Sequence, residues 1–128
     1  MAIDMNKPIL IVDDNRTMLR IIGGLLSKPG FTHIDEAIDG TDAFAKLKSR
    51  DYGFVISDWN MVPMSGFELL KKVRADEQLK NLPFIMVTAE AKSENVVAAR
   101  KAGVNHYIIK PFSGEVLKAT LKTVPGDF

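Results

Sequence analysis

Five short apolar runs alternate along the chain with stretches that carry apolar residues at helical spacing. The runs are residues 9–12, 34–37, 54–56, 84–87 and 107–109. Three of them are continuous rather than alternating, which is typical of strands that are buried on both faces of a parallel sheet. The pattern predicts five strands, each followed by a helix.

The intervening stretches predict amphipathic helices with short apolar faces. The five faces would consist of Met18, Ile22, Leu25 and Leu26; Ala43, Phe44 and Leu47; Gly66, Leu69, Leu70 and Val73; Val96, Ala99 and Ala102; and Leu117, Thr120, Leu121 and Val124. Pro29-Gly30 is expected to end the first helix and Gly103 the fourth. Ser113 is a candidate N-cap for the fifth. Alternating strands and helices of this kind predict an α/β sheet with helices on both faces and right-handed crossovers.

Composition limits the class of protein. The 128 residues predict one domain, and 46% hydrophobic content is enough for a core. The net charge of +1 gives no signature of a nucleic-acid binder, and the absence of cysteine excludes a disulfide framework. No apolar run reaches the roughly 20 residues that span a bilayer, and the N-terminus lacks a signal-peptide pattern. These features predict a cytoplasmic protein that binds neither membrane nor nucleic acid.

Polar residues follow four of the predicted strands. Asp13 and Asp14 follow the first strand, Asp58 the third, Thr88 the fourth and Lys110 the fifth. Ligands of α/β sheets bind at the carboxyl ends of the strands, near the switch point in strand order. These side chains are therefore expected to share one edge of the sheet. The alternative is that the aspartates are unrelated turn or capping residues.

Three clustered carboxylates restrict the chemistry of this edge. Like charges at close range disfavour joint ionisation, so one group must take up a proton or a cation must bind. A set of oxygen ligands favours a hard ion, and Mg²⁺ tolerates a few carboxylates with several waters. An aspartate has a reference pKa of about 3.9 and needs no general base to act as a nucleophile. With Lys110 to neutralise charge and Thr88 to donate a hydrogen bond, the site suits phosphoryl acceptance.

The same residues resemble the receiver domain of two-component response regulators. The motif consists of Asp13-Asp14, Asp58, Thr88 and Lys110-Pro111, and segments 52–61, 86–92 and 110–112 resemble most closely the chemotaxis members of that family. The similarity covers essentially the whole chain. It implies a flavodoxin-like, doubly wound parallel sheet with strand order 2-1-3-4-5. It also implies a single receiver domain over residues 1–128, with no output domain.

The resemblance implies a role for each residue of the acidic edge. Asp58 corresponds to the phosphorylated aspartate. Asp14 and Asp58 correspond to direct Mg²⁺ ligands, together with the main-chain carbonyl of Asn60. Asp13 corresponds to a carboxylate that acts on the ion through water, and Lys110 to the lysine that contacts the phosphoryl group.

The resemblance also implies a conformational switch. Thr88 corresponds to the hydroxyl that moves toward the phosphoryl group, and Tyr107 to the aromatic ring that follows it inward. Asn60 and Glu90 correspond to positions that tune self-dephosphorylation. The Lys110–Pro111 peptide bond is expected to be cis from the resemblance alone, since only about 5–6% of such bonds are cis in folded proteins.

The loop after Asp58 departs from the family pattern. Residues 62–65 read Val-Pro-Met-Ser, so the proline is displaced by one position and a serine replaces the usual aspartate before Gly66. Ser65 remains a good N-cap, and the following helix is expected to begin normally. Trp59 is expected to be a surface aromatic on this loop without a chemical role.

Basic residues concentrate in the last third of the chain. They are Lys92, Arg100, Lys101, Lys110, Lys118 and Lys122. The resemblance places a partner surface here, for which Lys92, Tyr107, Lys118 and Lys122 are the candidates. An acidic partner such as the N-terminal peptide of a flagellar motor switch protein would fit it. The alternative is an ordinary solvated face with interspersed glutamates.

The expected function is that of a monomeric signalling protein, not an enzyme. It would receive phosphate from a chemotaxis histidine kinase, and a phosphatase is a further expected partner. One alternative is a phosphate sink that does not bind the motor. The other is a small Mg²⁺-dependent phosphatase or phosphotransferase, which would need a substrate pocket and a cap for which 128 residues leave no room.

Overall fold

The computed structural model describes residues 7–27, 31 and 33–121, and within them strands and helices alternate as the sequence predicts. In chain order, the elements are β1 (Ile9–Val12), α1 (Arg16–Ser27), β2 (Ile34–Ala37), α2 (Gly40–Ser49), β3 (Phe54–Ser57), α3 (Gly66–Ala75), β4 (Phe84–Thr88), α4 (Ser93–Ala102), β5 (His106–Ile109) and α5 (Gly114–Leu121). None of the described helices is long and apolar enough to cross a bilayer.

The five strands form one parallel sheet in the order β2-β1-β3-β4-β5, so the predicted order is confirmed. The direction of winding reverses between β1 and β3, which leaves a crevice outside their carboxyl ends. Val12 is paired with Ser57 across these two strands. The residues that follow them, Asp13 and Asp58, therefore lie side by side at the crevice.

The core consists of two layers, one on each face of the sheet. In β1, Ile9 and Ile11 pack toward α1 and α5, whereas Leu10 and Val12 pack toward α2 and α3. All residues of β1, β3 and β4 are buried. This explains the continuous apolar runs, because a central strand covered by helices on both faces has no exposed side. The edge strands β2 and β5 are only partly buried.

The ends of the helices largely follow the predicted signals. Ser65 begins α3 with a capping box, in which its side chain accepts from the Glu68 N–H and the Glu68 carboxylate accepts from the Ser65 N–H. Gly103 ends α4 in the left-handed region, at φ 101°. The Ser113 hydroxyl accepts from the Val116 N–H at 3.1 Å. These three predictions are confirmed.

The apolar face of α1 differs in one respect from the prediction. Leu19, Ile22 and Leu26 are fully buried, whereas Met18 and Leu25 are only partly buried. Leu19 belongs to the i, i+3, i+7 row that faces the sheet and was missed. The predicted stop at Pro29-Gly30 and the predicted core residue Val124 lie outside the described residues.

Arg74 joins several elements at the amino edge of the sheet. Its Nε donates to the Gly103 carbonyl at 2.9 Å, and its Nη1 donates to the carbonyls of Leu82 at 2.6 Å and Lys80 at 3.1 Å. Its Nη2 donates to Asn105 Oδ1 at 2.9 Å. The guanidinium thus connects α3 to the starts of β4 and β5 and to the end of α4. Burial lowers the pKa of Arg74 from its ordinary value.

Candidate functional site

Three carboxylates meet at the carboxyl edge of the sheet, as the sequence predicts. Oxygen atoms of Asp13, Asp14 and Asp58 all lie within 4.8 Å of one another. Asp13 is 1% exposed and Asp58 9% exposed, whereas Asp14 faces the solvent. The site is therefore buried on one side and open on the side of Asp14.

Main-chain amides hold one oxygen of each buried carboxylate. Asp13 Oδ1 accepts from the Asn15 N–H at 2.9 Å, and Asp58 Oδ1 accepts from the Trp59 N–H at 2.7 Å. The Asp58 N–H donates to the Val12 carbonyl at 2.9 Å. Both carboxylates are thereby fixed in orientation, and the Oδ2 atom of each turns toward Lys110.

Lys110 is the cation of the site. Its Nζ lies 2.9 Å from Asp13 Oδ2 and 3.7 Å from Asp58 Oδ2, and its side chain is only 16% exposed. One ammonium against three carboxylates leaves an excess of negative charge. The Lys110–Pro111 peptide bond is cis, which confirms the expectation.

The electrostatics of Asp13 reflect this excess of charge. Burial raises the pKa of Asp13 above its ordinary value, and the neighbouring charge of Asp58 adds to the effect. The bonds from Lys110 and the Asn15 amide lower the pKa but do not outweigh burial. A second cation would relieve this unfavourable ionisation.

The residues at the edge fit a hard divalent cation. The three carboxylates supply only oxygen, which is the donor that Mg²⁺ prefers. Asp14 and Asn60 both line an open cleft of about 330 Å³ beside the cluster, together with Trp59, Met61, Val62 and Ser65. Carboxylates with a solvent-facing cleft match an ion that keeps several of its waters.

Gly66 lets α3 approach the site closely. A Cβ atom at this position would lie 1.9 Å from the main-chain oxygen of Asp58. The Gly66 N–H donates to the Trp59 carbonyl at 2.8 Å, and the Ser57 hydroxyl donates to the Asp58 carbonyl at 2.8 Å. The backbone of Asp58 is thus fixed by contacts that the sequence analysis did not anticipate.

The predicted switch residues meet at Glu90. The Glu90 N–H donates to Thr88 Oγ1 at 3.2 Å, and the Tyr107 hydroxyl donates to the Glu90 carbonyl at 2.7 Å. Thr88 is fully buried, and Tyr107 is half-buried. Burial, followed by the charges of Glu90 and Asp58, raises the pKa of Tyr107 to about 12. Hydrogen bonds from Asn95 and from the Lys92 amide hold the pKa of Glu90 below its usual value.

Trp59 differs from the expectation of a surface aromatic. Its half-buried ring stacks on Phe67, with centroids 4.8 Å apart and planes inclined by 5°. Its other neighbour is Tyr107, whose ring meets it edge to face at 6.5 Å. The contact with Phe67 was not predicted, because helical periodicity places this residue outside the apolar face of α3.

The loop of residues 62–65, which departs from the family pattern, is held in place by a contact with Gly40. The Met64 carbonyl accepts from the Gly40 N–H at 3.0 Å, and a Cβ at Gly40 would lie 2.7 Å from Met64 Cγ. The expectation that α3 begins normally is confirmed by the capping box at Ser65. The Val62–Pro63 peptide bond is also cis, which was not predicted.

The candidate partner surface is described only in part. Lys92 at the start of α4 and Lys118 on α5 are exposed, and Tyr107 lies on β5 between them in sequence. Lys122 lies outside the described residues. Lys110 was grouped with this basic face, but the structure places its ammonium in the acidic site instead.

The fold and the acidic edge together define a class of protein. The family model for the response regulator receiver domain matches residues 9–122, and the chain belongs to this family. Within the family it is of the CheY chemotaxis type. Chemotaxis protein CheY-3 of Vibrio cholerae is 51% identical over 122 residues, which cover 95% of this chain and 94% of the relative. Chemotaxis protein CheY of Pseudomonas aeruginosa is 53% identical over 116 residues, covering 91% and 94%.

A solved complex gives a structural comparison. The chain resembles a chain of the CheX-CheY-BeF3-Mg+2 complex from Borrelia burgdorferi, with a TM-score of 0.86 and 27% identity. The similarity covers 91% of this chain and 87% of that one.

Proposed function

We propose that the chain accepts a phosphoryl group on Asp58 from a chemotaxis histidine kinase. The observation that carries the proposal is the position of Lys110. Its Nζ forms an ion pair with Asp13 and lies 3.7 Å from Asp58 Oδ2. A lysine at this distance from one oxygen of a buried aspartate is suited to neutralise the charge of an incoming phosphoryl group. The protein would thus be a phospho-acceptor rather than an enzyme with a separate substrate.

The two oxygens of Asp58 would have different tasks. Oδ1 is held by the Trp59 N–H, which fixes the plane of the carboxylate. Oδ2 is the nucleophile: it forms the bond to phosphorus while the bond between phosphorus and the donor imidazole breaks, and the imidazole leaves with the bonding electrons. No general base is required, because a carboxylate nucleophile has no proton to lose as it attacks. Catalysis is then a matter of position and electrostatics.

Asp13, Asp14, Asp58 and the main-chain carbonyl of Asn60 would hold Mg²⁺. When bound, the ion supplies positive charge for the carboxylates and for the transferring phosphoryl oxygens. Direct coordination is assigned to Asp14, Asp58 and Asn60, and Asp13 would act through water. The complex of the Borrelia protein contains BeF3 and Mg, which supports a magnesium site in this chain as well.

The switch would begin at Thr88. Its Oγ1 accepts from the Glu90 N–H, which leaves the hydroxyl proton free to bind a phosphoryl oxygen. Movement of Thr88 would carry the 89–90 main chain with it, and the Tyr107 hydroxyl is bound to that main chain at Glu90. Asn60 and Glu90 would set the rate at which water removes the phosphoryl group. The added charge of about −1.5 to −2 is sufficient to bias two such arrangements.

The output would be a change in partner binding. Lys92, Tyr107, Lys118 and Lys122 form the proposed surface for an acidic peptide of the flagellar motor switch. A phosphatase is a second proposed partner, supported by the complex of the Borrelia receiver with CheX. Residues 1–128 would act as one cytoplasmic, monomeric receiver domain.

Phosphorylation with acetyl phosphate and Mg²⁺, followed by intact-mass measurement, tests the acceptor. The wild type should gain one phosphoryl group, and Asp58→Asn should gain none. Asp51→Asn is a matched control, because Asp51 is an exposed aspartate paired with Lys7 at the opposite edge of the sheet. Labelling of Asp58→Asn at the wild-type rate would show that the acceptor is another residue.

A binding experiment tests the output separately. Immobilised motor switch peptide should retain the protein more strongly with beryllofluoride and Mg²⁺ than without them. Lys92→Ala should reduce this gain, whereas Lys80→Ala, on the far side of the molecule, should not. A protein that is phosphorylated on Asp58 but shows no gain in binding would be a phosphate sink.

A further inference from the structure

Three aromatic rings form a continuous array beside the acidic site. Tyr107 meets Trp59 edge to face, and Trp59 stacks on Phe67 with nearly parallel planes. Lys71 Nζ lies 4.8 Å from the centroid of the Phe67 ring. The array thus runs from the predicted switch residue on β5 to the first turns of α3, and all three rings are half-buried.

Hydrogen bonds hold both the N–H and the carbonyl of Trp59, so the orientation of its ring depends on side-chain contacts. Its N–H donates to Asp58 Oδ1, and its carbonyl accepts from the Gly66 N–H. The indole packs against the core layer on this face of the sheet, and the contact parallel to its plane is the stack on Phe67. Phe67 follows Gly66 directly in the capped first turn of α3, and its own position is therefore well defined.

Tyr107 packs against the core layer on the α2 and α3 face of the sheet, and two directed contacts also hold it in its present position. The hydroxyl donates to the Glu90 carbonyl, and the ring forms a T-shaped pair with the indole of Trp59. The hydrogen bond is directed, but a hydroxyl can exchange it for water. The ring contact has no equivalent in water, since it buries apolar surface. The orientation of Trp59 therefore contributes to the stability of this position of Tyr107.

We infer that Phe67 is a positioning residue for the Tyr107 switch, acting through the ring of Trp59. The inference rests on the proposed function for the role of Tyr107 but not for the geometry. Loss of the Phe67 ring would free the indole and weaken its contact with Tyr107. Aromatic pairs contribute enough beyond buried area to change a two-state population by about 2- to 10-fold. The exposed population of Tyr107 should rise accordingly.

The test uses Phe67→Leu and Phe67→Met in protein labelled with 3-fluorotyrosine. The chain has two tyrosines, and the Tyr107 resonance is assigned by its loss in Tyr107→Phe. The ¹⁹F shift difference between H₂O and D₂O reports the exposure of the ring. It should increase for Tyr107 in both variants, and emission of the single tryptophan should change with it. Phe67→Tyr keeps an aromatic ring for the stack and should restore both signals. Its own fluorotyrosine adds a third resonance, which is identified by its absence from the other variants.

Phe44→Leu is the matched control. Phe44 is also half-buried, and Lys72 Nζ lies 4.9 Å from its ring, but it forms no ring pair with Trp59 or Tyr107 among the described contacts. It should leave the Tyr107 signal unchanged. The inference is overturned if Phe67→Leu changes Trp59 emission without exposing Tyr107, or if Phe44→Leu exposes Tyr107 equally.

Titration with beryllofluoride and Mg²⁺ separates this inference from the proposed function. If both hold, and the half-buried position of Tyr107 on the Glu90 carbonyl is the inward one of the switch, the midpoint for Phe67→Leu should rise by about 2- to 10-fold, because binding must then also restore that position. A wild type that does not respond to beryllofluoride would contradict the proposed function. The exposure measurement would still decide the role of Phe67, since it is made on the free protein.

Discussion

Two half-buried cations stand at opposite edges of the sheet and have different surroundings. At the carboxyl edge, Lys110 faces two carboxylates, Asp13 and Asp58. At the amino edge, Arg74 binds four neutral oxygens, three of them main-chain carbonyls and the fourth Asn105 Oδ1. The partners of Arg74 are fixed by secondary structure. Those of Lys110 are negative charges, which a cation compensates and an incoming phosphoryl group would increase.

The difference separates a structural cation from a responsive one. A guanidinium shared by carbonyls of several elements stabilises one arrangement of the chain, and no described carboxylate competes for it. An ammonium among carboxylates lies in a site with excess negative charge, whose balance depends on what binds there. The following experiments test whether the amino edge mainly stabilises the fold and the carboxyl edge mainly responds to bound ions and groups.

Arg74→Met should have the largest effect on stability. It leaves four acceptors without their charged donor, and hydrogen bonds to charged groups are the stronger ones, so a loss of about 3–4 kcal/mol is expected. Urea denaturation would measure it. Arg100→Met is the control, because Arg100 is an exposed residue of α4 and should change the free energy of unfolding by less than about 0.5 kcal/mol. Restoration of the Arg74 variant by Mg²⁺ would contradict a purely structural role.

Gly66→Ala should have the next largest effect on stability, and it should also slow the phosphorylation of Asp58. Its Cβ would lie 1.9 Å from the Asp58 carbonyl oxygen, so α3 or the end of β3 must move. A cost of about 1–3 kcal/mol is expected, with slower labelling of Asp58 by acetyl phosphate. Urea denaturation and mass spectrometry would measure the two effects.

Gly24→Ala is the matched control for that variant. Gly24 lies within α1, and a Cβ there has no heavy atom within 4 Å. The substitution should stabilise the protein by about 0.5–1 kcal/mol, because alanine loses less conformational freedom in a helix. Equal labelling rates in the two variants would show that the approach of α3 does not position Asp58.

Lys110→Met should cost about 1–2 kcal/mol without Mg²⁺, since it removes the donor to the buried Asp13 carboxylate. Saturating Mg²⁺ should recover most of this loss, unlike the loss in Arg74→Met. Phosphorylation should remain slow even with Mg²⁺, because no ammonium faces the phosphoryl group. Unfolding curves with and without Mg²⁺ would measure the recovery, and its absence would remove the distinction between the two cations.

The same variant has a defined pH dependence. Burial raises the folded-state pKa of Asp13 above 3.8. The contribution of Asp13 to the free energy of unfolding is therefore complete below pH 3.8 and is lost as pH rises through the folded-state pKa. Lys110 lowers this pKa. Its removal should therefore extend the loss to higher pH, and stability of Lys110→Met without Mg²⁺ should fall more steeply than that of the wild type as pH rises above 3.8.

The sequence was sufficient for the sheet and for the charged residues of its carboxyl edge. Continuous apolar runs identified β1, β3 and β4, because helices cover both of their faces. Asp13, Asp58 and Lys110 were predictable as neighbours, because parallel strands bring their carboxyl ends together. Their roles in phosphorylation remain predictions that depend on the resemblance and the proposed chemistry.

Contacts between separate helices and loops were not predictable. Phe67 lies on the outer side of α3 by periodicity, and its stack on Trp59 depends on how closely Gly66 brings the helix to β3. Arg74 is an ordinary last-turn basic residue in the sequence, and its partners come from 6 to 31 positions further along the chain. Periodicity records which face of a helix is apolar, but not which polar side chain lies against a neighbouring element.

The two tyrosines offer the finest test of the comparison, since each stands at a different edge. Burial raises the pKa of both Tyr52 and Tyr107 to about 12. At the amino edge, the hydrogen bond of Tyr52 to Asp35 Oδ2 at 2.5 Å adds to the effect, and at the carboxyl edge the charges of Glu90 and Asp58 do so. Asp35→Asn should therefore lower only the pKa of Tyr52.

Glu90→Gln, and to a smaller extent Asp58→Asn, should lower only the pKa of Tyr107, because each removes a negative charge that disfavours the phenolate. Alkaline titration followed by the ¹³Cζ resonances of the unmodified tyrosines would resolve the two sites. Both phenols titrate higher in the folded state than the ordinary value of 10, so their contribution to stability is lost as pH rises from about 10 through about 12. If the pKa of Tyr107 does not change in Asp58→Asn, the charge of Asp58 does not affect Tyr107. The coupling would then depend on Thr88 and the Glu90 main chain alone.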